Sequence, residues 1–248
     1  MIKQLPLRQR IRRGVILVSF ILFPIIMNYF SPYVIIDGAS QGIVNGSFIV
    51  FGLMFLSALF LGRAWCGWGC PAGGLQQAAT GINSGPFKPG KRDWIKWLIW
   101  LPWLGIIAWA AISAGGYRRV DFFHLTESGV SVTEPLQYIT HLLVVGIFLL
   151  LAVLMGRRAG CHTICWMAPF MILGRWLRNR VAWPSLRLVA SAASCKDCLT
   201  CTGNCPMSLD VHGMVQRERM EHSECILCGT CVDNCSQDAI RFSFSAGK

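Results

Sequence analysis

The chain has 248 residues, of which 54% are apolar and only 14% are charged. Soluble domains carry roughly 25% charged residues, so this deficit and the mean hydropathy of +0.49 favour a membrane protein. A formal charge of +11 is typical of some nucleic-acid-binding proteins. Here, however, the basic residues are spread along the chain and form no single patch with interleaved aromatics, so we expect no nucleic-acid partner.

Four apolar stretches are long enough to cross a bilayer as helices, which takes roughly 17–25 residues. They cover about residues 14–36, 43–61, 94–114 and 136–155. The first stretch follows a basic leader, but its apolar run is long and no small-residue cleavage site follows it. It therefore predicts an uncleaved anchor rather than a signal peptide.

The distribution of Lys and Arg predicts how these spans are oriented. Basic residues occur in the N-terminal tail, in the second connection and after the fourth span, whereas the first connection has none and the third has Arg118 and Arg119. The tail contributes Lys3, Arg8, Arg10, Arg12 and Arg13. Because such residues remain on the cytoplasmic side, we expect a multi-pass inner-membrane protein with both termini in the cytoplasm.

The membrane domain is predicted to extend over residues 1–189, and its last part differs from the spans. Residues 166–180 combine apolar residues with arginines, a composition that suits a segment lying in the membrane interface. From about residue 190 the composition changes, and residues 190–248 contain no apolar run long enough to span. We predict that they form a separate cytoplasmic domain.

This C-terminal domain contains two copies of the spacing C-x2-C-x2-C-x3-C. In bacterial ferredoxins three cysteines of one copy bind one cubane, and the fourth reaches the other cubane. The spacing therefore predicts an α+β ferredoxin domain with two [4Fe–4S] clusters, whereas zinc sites do not use this eight-ligand pattern. The first ferredoxin set is Cys195, Cys198, Cys201 and Cys235, and the second ferredoxin set is Cys205, Cys225, Cys228 and Cys231.

Two shorter cysteine motifs follow the second and the fourth span. They read GRAWCGWGC at 62–70 and GRRAGCHTIC at 156–165, and they align Gly62–Arg63 with Gly156–Arg157, Cys66 with Cys161, and Cys70 with Cys165. Each motif follows a pair of spans, so the membrane domain is predicted to consist of two parallel two-helix repeats. Such repeats would bring four thiols together at the cytoplasmic face; this membrane set is Cys66, Cys70, Cys161 and Cys165.

Three interpretations of the membrane set remain open at this stage. Converging thiolates hold metal ions or iron–sulfur centres, and they also act as reversible dithiols. Buried cysteines are otherwise small apolar side chains. His162 lies within the second motif, and we expect it to be hydrogen-bonded or solvated rather than a metal ligand.

With its four spans, paired C-x3-C motifs and eight-cysteine C-terminal domain, the chain resembles the NapH/NosR-type membrane polyferredoxin family over nearly its whole length. Cys70 is followed by Pro71, as in that family, whereas Cys165 is followed by Trp166 and the proline is delayed to Pro169. The resemblance implies a membrane electron-transfer protein that serves respiratory reductases or their maturation and draws on quinol.

His141 is the candidate quinone contact. It lies near the predicted outer end of the fourth span, close to Tyr138, and an ionisable residue within a span is a candidate functional group. A neutral histidine can accept a proton from a quinol. The predicted clusters lie on the opposite side, so a direct route from His141 to them requires a further cofactor.

Together these features predict an iron–sulfur protein that relays electrons between the membrane, including its quinol pool, and a redox protein partner. We expect an electron carrier or subunit rather than a free-standing enzyme. One alternative is a maturation factor that reduces a metal ion or thiols for a respiratory metalloenzyme, with the membrane set carrying the chemistry. A redox sensor or scaffold is the other alternative.

Overall fold

The computed structural model describes residues 5–88 and 90–247, so Lys3 of the basic tail lies outside the described residues. Most of the secondary structure is helical. The helices are α1 Leu7–Ile21, α2 Phe23–Ile26, α3 Pro32–Ser40, α4 Gly46–Leu61, α5 Ala64–Trp68, α6 Pro71–Ala78, α7 Ile95–Ser113, α8 Pro135–Met155, α9 Ala159–Thr163, α10 Ala168–Arg180, α11 Thr200–Gly203, α12 Val211–Gln216 and α13 Thr230–Asp233. The strands are β1 Ile43–Asn45, β2 Arg119–Asp121, β3 Ser185–Ala190 and β4 Ile240–Ser245.

Two of the predicted spans are long apolar helices. Helix α8 and the helical segment Arg92–Ser113, which contains α7, have mean hydropathies of 2.5 and 1.7 and are long enough to cross a membrane. Helix α4 has 16 residues, about 24 Å of helix, against a hydrocarbon core of about 30 Å. Two described helices therefore meet the requirements for a span, or three if the bent pair at the N-terminus is one span.

The first predicted span is broken instead of straight. Helix α1 and the following segment Phe23–Phe30 meet at an angle of 61°. Pro24 lies at the break; it has no N–H group to donate, and its ring collides with the carbonyl four residues earlier. The continuous helix expected over about 14–36 is thus interrupted for a local covalent reason.

The first cysteine motif turns back toward the interior along α1. Arg12 Nη1 donates to the carbonyl of Gly67 at 3.2 Å, and Ser19 Oγ donates to that of Gly69 at 2.6 Å. Because Arg12 and Ser19 are seven residues apart, the chain advances about 10 Å along α1 between these contacts. Helix α6 then returns, and its Gln77 accepts a hydrogen bond from Arg12 Nη2 at 3.3 Å. Residues 62–78 therefore run out along α1 and return beside it; we call this segment the first re-entrant loop because of that path.

The second cysteine motif makes a comparable excursion. Trp166 Nε1 donates to the carbonyl of Phe30 at 2.9 Å, beyond the bend that follows α1. Helices α6 and α10 both have a proline in their first turn, Pro71 and Pro169, where the missing N–H costs nothing. Residues 156–180 thus leave the end of α8 and return along α4 through α10; this segment is the second re-entrant loop.

Helix α10 covers most of the segment that was predicted to be interfacial. Phe170 packs edge-on against Phe51 of α4 at 5.3 Å, and a Cβ on Gly174 would lie 2.6 Å from the carbonyl oxygen of Phe55. The apolar side of this helix therefore faces α4. Its arginines Arg175 and Arg178 pair with Glu221 of the C-terminal domain at 2.7 and 3.3 Å.

Strand β3 lies just before the predicted domain boundary at residue 190. Strand β3 pairs antiparallel with β4, from Ser185 opposite Ser245 to Ala190 opposite Ile240. A second small sheet pairs β1 with β2 in parallel. The first of these sheets brings residues 185–190 into the fold of the C-terminal domain, upstream of the predicted boundary at 190.

Replacing Gly174 by alanine should destabilise the contact between α10 and α4. The added Cβ would press on the Phe55 carbonyl and the Ala58 side chain, and overpacking of this kind costs about 1–3 kcal/mol. Gly52→Ala on α4 is the matched control, because a Cβ on Gly52 would meet nothing within 4 Å. Thermal unfolding in detergent should show a lower midpoint for Gly174→Ala only; equal midpoints would contradict this packing.

Candidate metal centres

The second ferredoxin set surrounds a cavity in the core of the C-terminal domain. Its four cysteines line this cavity together with apolar side chains such as Met207, Met214 and Ile226. Burial raises the pKa of Cys205 to about 11 and that of Cys225 to about 12. Ionised thiols in such a place need a bound metal to offset the cost of burying charge, so this set of donors suits a cluster.

The first ferredoxin set surrounds a second cavity nearer the surface. It is lined by the four cysteines of that set together with Val215 and Ile240. Cys198 is exposed, and hydrogen bonding by Thr200 lowers its pKa. Each cavity is thus lined by one of the two cysteine groups that the spacing predicted, with the fourth cysteine coming from the other motif.

The two ferredoxin motifs also have the same backbone conformation. Positive φ angles recur at positions thirty residues apart: Asp197 and Leu227, Leu199 and Gly229, Ser208 and Asp238. Gly229 adopts this conformation readily, whereas Leu199 does so against its side-chain preference. The sequence repeat is therefore a structural repeat, and helices α11 and α13 begin at equivalent positions.

The membrane set is brought together inside the protein by the two re-entrant loops. All four thiols are buried. Burial raises the pKa of Cys70, and so does its electrostatic interaction with Cys66, Cys161 and Cys165. The four cysteines therefore lie close enough to interact electrostatically, although they belong to motifs about 95 residues apart.

Polar groups from both loops surround these thiols. Gln76 Nε2 donates to Cys161 Sγ at 3.1 Å, while Gln76 Oε1 accepts from the Gly160 N–H at 2.8 Å. Arg158 Nη1 donates to the Cys66 carbonyl at 2.9 Å. A Cβ on Gly73 would lie 3.1 Å from that guanidinium nitrogen, so the close approach depends on glycine.

The first re-entrant loop packs directly against the loop that carries Cys228. A Cβ on Gly67 would lie 3.5 Å from the Cα and Cβ atoms of Cys228. Trp68 Nε1 donates to the Leu227 carbonyl at 3.2 Å, and Gln9 Nε2 donates to the Cys228 carbonyl at 3.0 Å. The membrane set and the second ferredoxin set are thus separated by little more than the backbone next to Cys66.

A buried carboxylate joins the same two regions. Glu224 pairs with Arg63 of the first motif at 2.8 Å and with Lys96 of α7 at 2.6 Å, and all three side chains are at most 4% exposed. Burial would raise the pKa of Glu224, but the charges of Arg63 and Lys96 outweigh it and hold the pKa at about 2. The carboxylate immediately before Cys225 is therefore ionised.

His162 is hydrogen-bonded through both ring nitrogens in this interface. Its Nδ1 lies 2.9 Å from Asp93 and its Nε2 lies 3.2 Å from the Met207 carbonyl. The ring stacks on Phe87 at 4.6 Å. Both ring nitrogens thus have partners, as expected for a hydrogen-bonded histidine rather than a metal ligand.

His141 lies beside a third cavity, which reaches toward the membrane set. Its ring is 5.2 Å from that of Phe23, and its Nδ1 is buried without a hydrogen-bond partner among the described residues. Phe23 lines an apolar cavity that is also bounded by Pro71 and Met167. Pro71 follows Cys70, so the cavity connects the surroundings of His141 with the first re-entrant loop.

Sequence reasoning did not identify Gln9, Arg158 or Glu224 as functional. Burial and spacing show Arg158 as the counterpart of Arg63, since each lies three residues before the first cysteine of its motif and is at most 1% exposed. The alignment on the Gly–Arg pair pointed to Arg157 instead. Aligning the motifs on their cysteines would have found Arg158. Gln9, in contrast, hydrogen-bonds the carbonyl of Cys228, which is 219 residues away in the sequence.

Two family models match parts of the chain. One, described as a 4Fe-4S binding domain, matches residues 44–91, and the other, a 4Fe-4S dicluster domain, matches residues 194–240. The first match contains Cys66 and Cys70, and the second contains all eight ferredoxin cysteines. No solved structure matches the chain.

Three curated relatives are similar over most of the chain. The "Putative electron transport protein YccM" of Escherichia coli is 24% identical over 82% of the chain and 57% of its own length. Protein RdxA of Cereibacter sphaeroides is 26% identical over 82% of the chain and 47% of its own length. An uncharacterized protein of Methanocaldococcus jannaschii is 26% identical, covering 77% of the chain and 76% of the relative.

The chain spans about half the length of YccM and RdxA. Together, the two 4Fe-4S matches and the relative named as an electron transport protein support iron–sulfur electron transfer. They agree with the prediction of iron–sulfur clusters that was made from the cysteine spacing.

Removing iron should unfold the C-terminal domain. Its two cavities are lined by eight thiols, and a segment this short depends on staples in place of a large apolar core. Chelation of the reduced protein in detergent should release a protease-sensitive segment after residue 185, while the helicity of α7 and α8 persists. An iron-free protein with unchanged circular dichroism and protease resistance would contradict this.

Replacing Glu224 by glutamine should loosen the interface between the two domains. Arg63 and Lys96 would be left buried without their carboxylate, and breaking a buried pair in this way costs about 3–5 kcal/mol. Hydrogen exchange should rise across 222–235, and the unfolding midpoint should fall. Glu218→Gln is the control, because this exposed side chain should change stability by less than about 0.5 kcal/mol.

Proposed function

We propose that the chain is a membrane-bound iron–sulfur protein that relays electrons between the membrane and a redox protein partner. The order of the three cysteine sets carries this proposal. The first ferredoxin set includes the exposed Cys198, the second is mostly buried, and the membrane set is fully buried. When bound, [4Fe–4S] clusters supply one-electron exchange at the two ferredoxin sets.

Residues outside the cysteine motifs fix the second ferredoxin set against the membrane domain. Gln9 donates to the Cys228 carbonyl and to Asp233 Oδ2, at 3.0 and 2.6 Å, and it also accepts from Thr230 Oγ1 at 3.2 Å. Groups that orient ligand-bearing loops tune bound metal centres. Helix α1 therefore holds the loop of Cys228 in one position, as a relay with fixed spacing requires.

The same contacts support the proposed topology. Arg8 pairs with Asp233 at 3.2 Å, so the start of α1 lies on the same side as the C-terminal domain. We place that side in the cytoplasm of an inner-membrane protein, because basic residues flanking spans stay there. In this topology α1 with its bent continuation, α4, α7 and α8 make the four crossings, and both termini are cytoplasmic.

The NapH/NosR-type assignment belongs to the same proposal. Its support comes from the two re-entrant loops, each with a C-x3-C motif and a proline in the first turn of the following helix. The delayed Pro169 starts α10 as Pro71 starts α6, so the departure in sequence leaves the local structure comparable. This equivalence supports a membrane domain built from two repeats.

We place quinol chemistry at the apolar cavity beside His141. The cavity is lined only by apolar side chains, among them Phe20, Phe30 and Phe148, which suit a quinone ring. The His141 ring lies 5.2 Å from that of Phe23, which lines the cavity, and its Nδ1 is buried without a partner among the described residues. The sequence had suggested a long gap between His141 and the cysteines, and the re-entrant loops shorten it because Pro71 lines the cavity together with Phe23.

The maturation alternative assigned the chemistry to the membrane set. Those thiols are buried, so a client metal ion or disulfide does not reach them from the solvent. A maturation factor built on this fold would have to deliver electrons through the exposed first ferredoxin set. The same relay would then serve a different redox partner.

Replacing His141 by leucine should slow electron transfer to a membrane quinone by roughly 100-fold, the scale for loss of a general acid or base. The full chain would be placed in liposomes with ubiquinone-10, reduced with dithionite, and followed by the absorbance of its clusters during reoxidation. Tyr138→Phe, one turn earlier, is the matched control and should react like the unmodified protein.

Ferricyanide reoxidation separates this effect from damage to the clusters. Its rate should be the same in both variants, because ferricyanide collects electrons at the exposed first ferredoxin set. Clusters that ferricyanide oxidises but that never react with quinone would refute the membrane relay. Equal quinone rates in His141→Leu and in the unmodified protein would refute the assignment of His141 alone.

A further inference from the structure

The thiols of the membrane set are arranged more widely than a single metal ion requires. Zn–S bonds of about 2.3 Å in a tetrahedron place the sulfurs about 3.8 Å apart. Among the described residues, only Cys195, Asp197 and His212 bring three candidate ligand atoms within 4.8 Å of one another. Three thiols of the membrane set do not meet within that distance, and neither do three thiols of either ferredoxin set.

A buried cation beside the membrane set has no acidic partner. Arg158 is fully buried, and its hydrogen bond goes to the neutral carbonyl of Cys66. Its Nε and Nη2 groups have no hydrogen-bond partner, and no described carboxylate pairs with it within 4.0 Å. Burying a guanidinium without an anion costs several kcal/mol, so a negatively charged group beside Arg158 is needed to offset this cost.

Neutral thiols do not supply that charge. All four thiols of the membrane set are buried, and in their uncharged form they leave Arg158 uncompensated, which argues against a merely structural role. A disulfide is also uncharged, so the oxidised state of a reversible dithiol leaves the same cation without a partner. Ligation to a metal makes buried thiols anionic.

We infer that Cys66, Cys70, Cys161 and Cys165 ligate a third, polynuclear iron–sulfur centre, with Arg158 as its counter-charge. Four thiolates outweigh the positive charge of an iron–sulfur core, so the bound centre is anionic. Arg63 is a second buried cation, and it is also paired with Glu224. The N–H group of Gln76 meets Cys161 Sγ at 3.1 Å, the kind of hydrogen bond that tunes the potential of such centres.

The site lies between the second ferredoxin set and the cavity beside His141, which is the position that a third electron-transfer centre of the relay requires. The loop with Cys66 contacts the backbone of Cys228 through Gly67, and the cavity beside His141 is bounded by Pro71, directly after Cys70. The role of the centre rests on the proposed function, whereas its existence does not. Iron content and electron transfer to quinone therefore test the two separately.

The first test counts iron and acid-labile sulfide in the anaerobically purified full chain. Two cubanes account for about eight irons, and we expect about two or four more. The double variant Cys161→Ser/Cys165→Ser should lose only that excess, whereas Thr163→Ser, between the two cysteines, should retain it. About eight irons in the unmodified protein, or one zinc ion per chain in addition to them, would overturn the inference.

The second test uses adjacent arginines and does not require removal of a ligand. Arg158→Met should shift the midpoint potential of the third paramagnetic signal to a more negative value. The reduced centre carries one more negative charge, and the variant lacks the nearby cation that stabilises it. Arg158→Lys should restore most of the shift. Arg157→Met is the matched control, since Arg157 bonds the Gly203 carbonyl at the surface. Equal potentials in Arg158→Met and Arg157→Met, or no third signal, would count against the centre.

Discussion

The buried carboxylate of Glu224 is the interaction on which the arrangement of the cysteine sets depends. It comes directly before Cys225, and its partners are Arg63 of the first cysteine motif and Lys96 of α7. Separating such a group from its partners leaves uncompensated charge in an apolar interior. The C-terminal domain is therefore held against the membrane domain at the place where its second ferredoxin set approaches the membrane set, and the spacing between the sets is fixed.

The close approach of the first cysteine motif to its neighbours also requires glycines, because any larger residue would place a side chain between the packed segments. Gly67 faces the loop of Cys228, Gly73 faces the Arg158 guanidinium, and Gly74 faces the Ile16 carbonyl of α1. Non-helical backbone within a membrane protein is tolerated where protein covers it, and α1, α6 and α10 provide that cover. The two re-entrant loops thus carry cysteines into the interior while the domain outside packs on the same residues.

Local spacing divides the eight ferredoxin cysteines into the same two groups that line the two cavities, because three ligands of each predicted cubane follow one another closely in the chain. Hydropathy likewise predicted α7 and α8, whose apolar runs are continuous. The re-entrant loops escaped prediction because each is too short to resemble a span, and β3 because its six residues follow a long helical region. The contacts of Gln9 and Glu224 join residues more than 125 positions apart, and no local pattern encodes such a pairing.

The buried arginines show how charge is organised along the molecule. Arg12, Arg63 and Arg158 are each at most 1% exposed. Arg12 and Arg158 donate to the carbonyls of Gly67 and Cys66 in the first cysteine motif, and Arg63 of that motif pairs with Glu224. Only Arg63 has a carboxylate partner among the described residues. In a region of low dielectric, an excess of cations is stable only where anions are bound nearby. In the proposed relay, the thiolates of the loaded cysteine sets provide those anions, so loading of the sets and burial of the arginines stabilise each other. On this proposal Arg63 and Arg158, which follow α4 and α8, lie buried beside the anions that balance them.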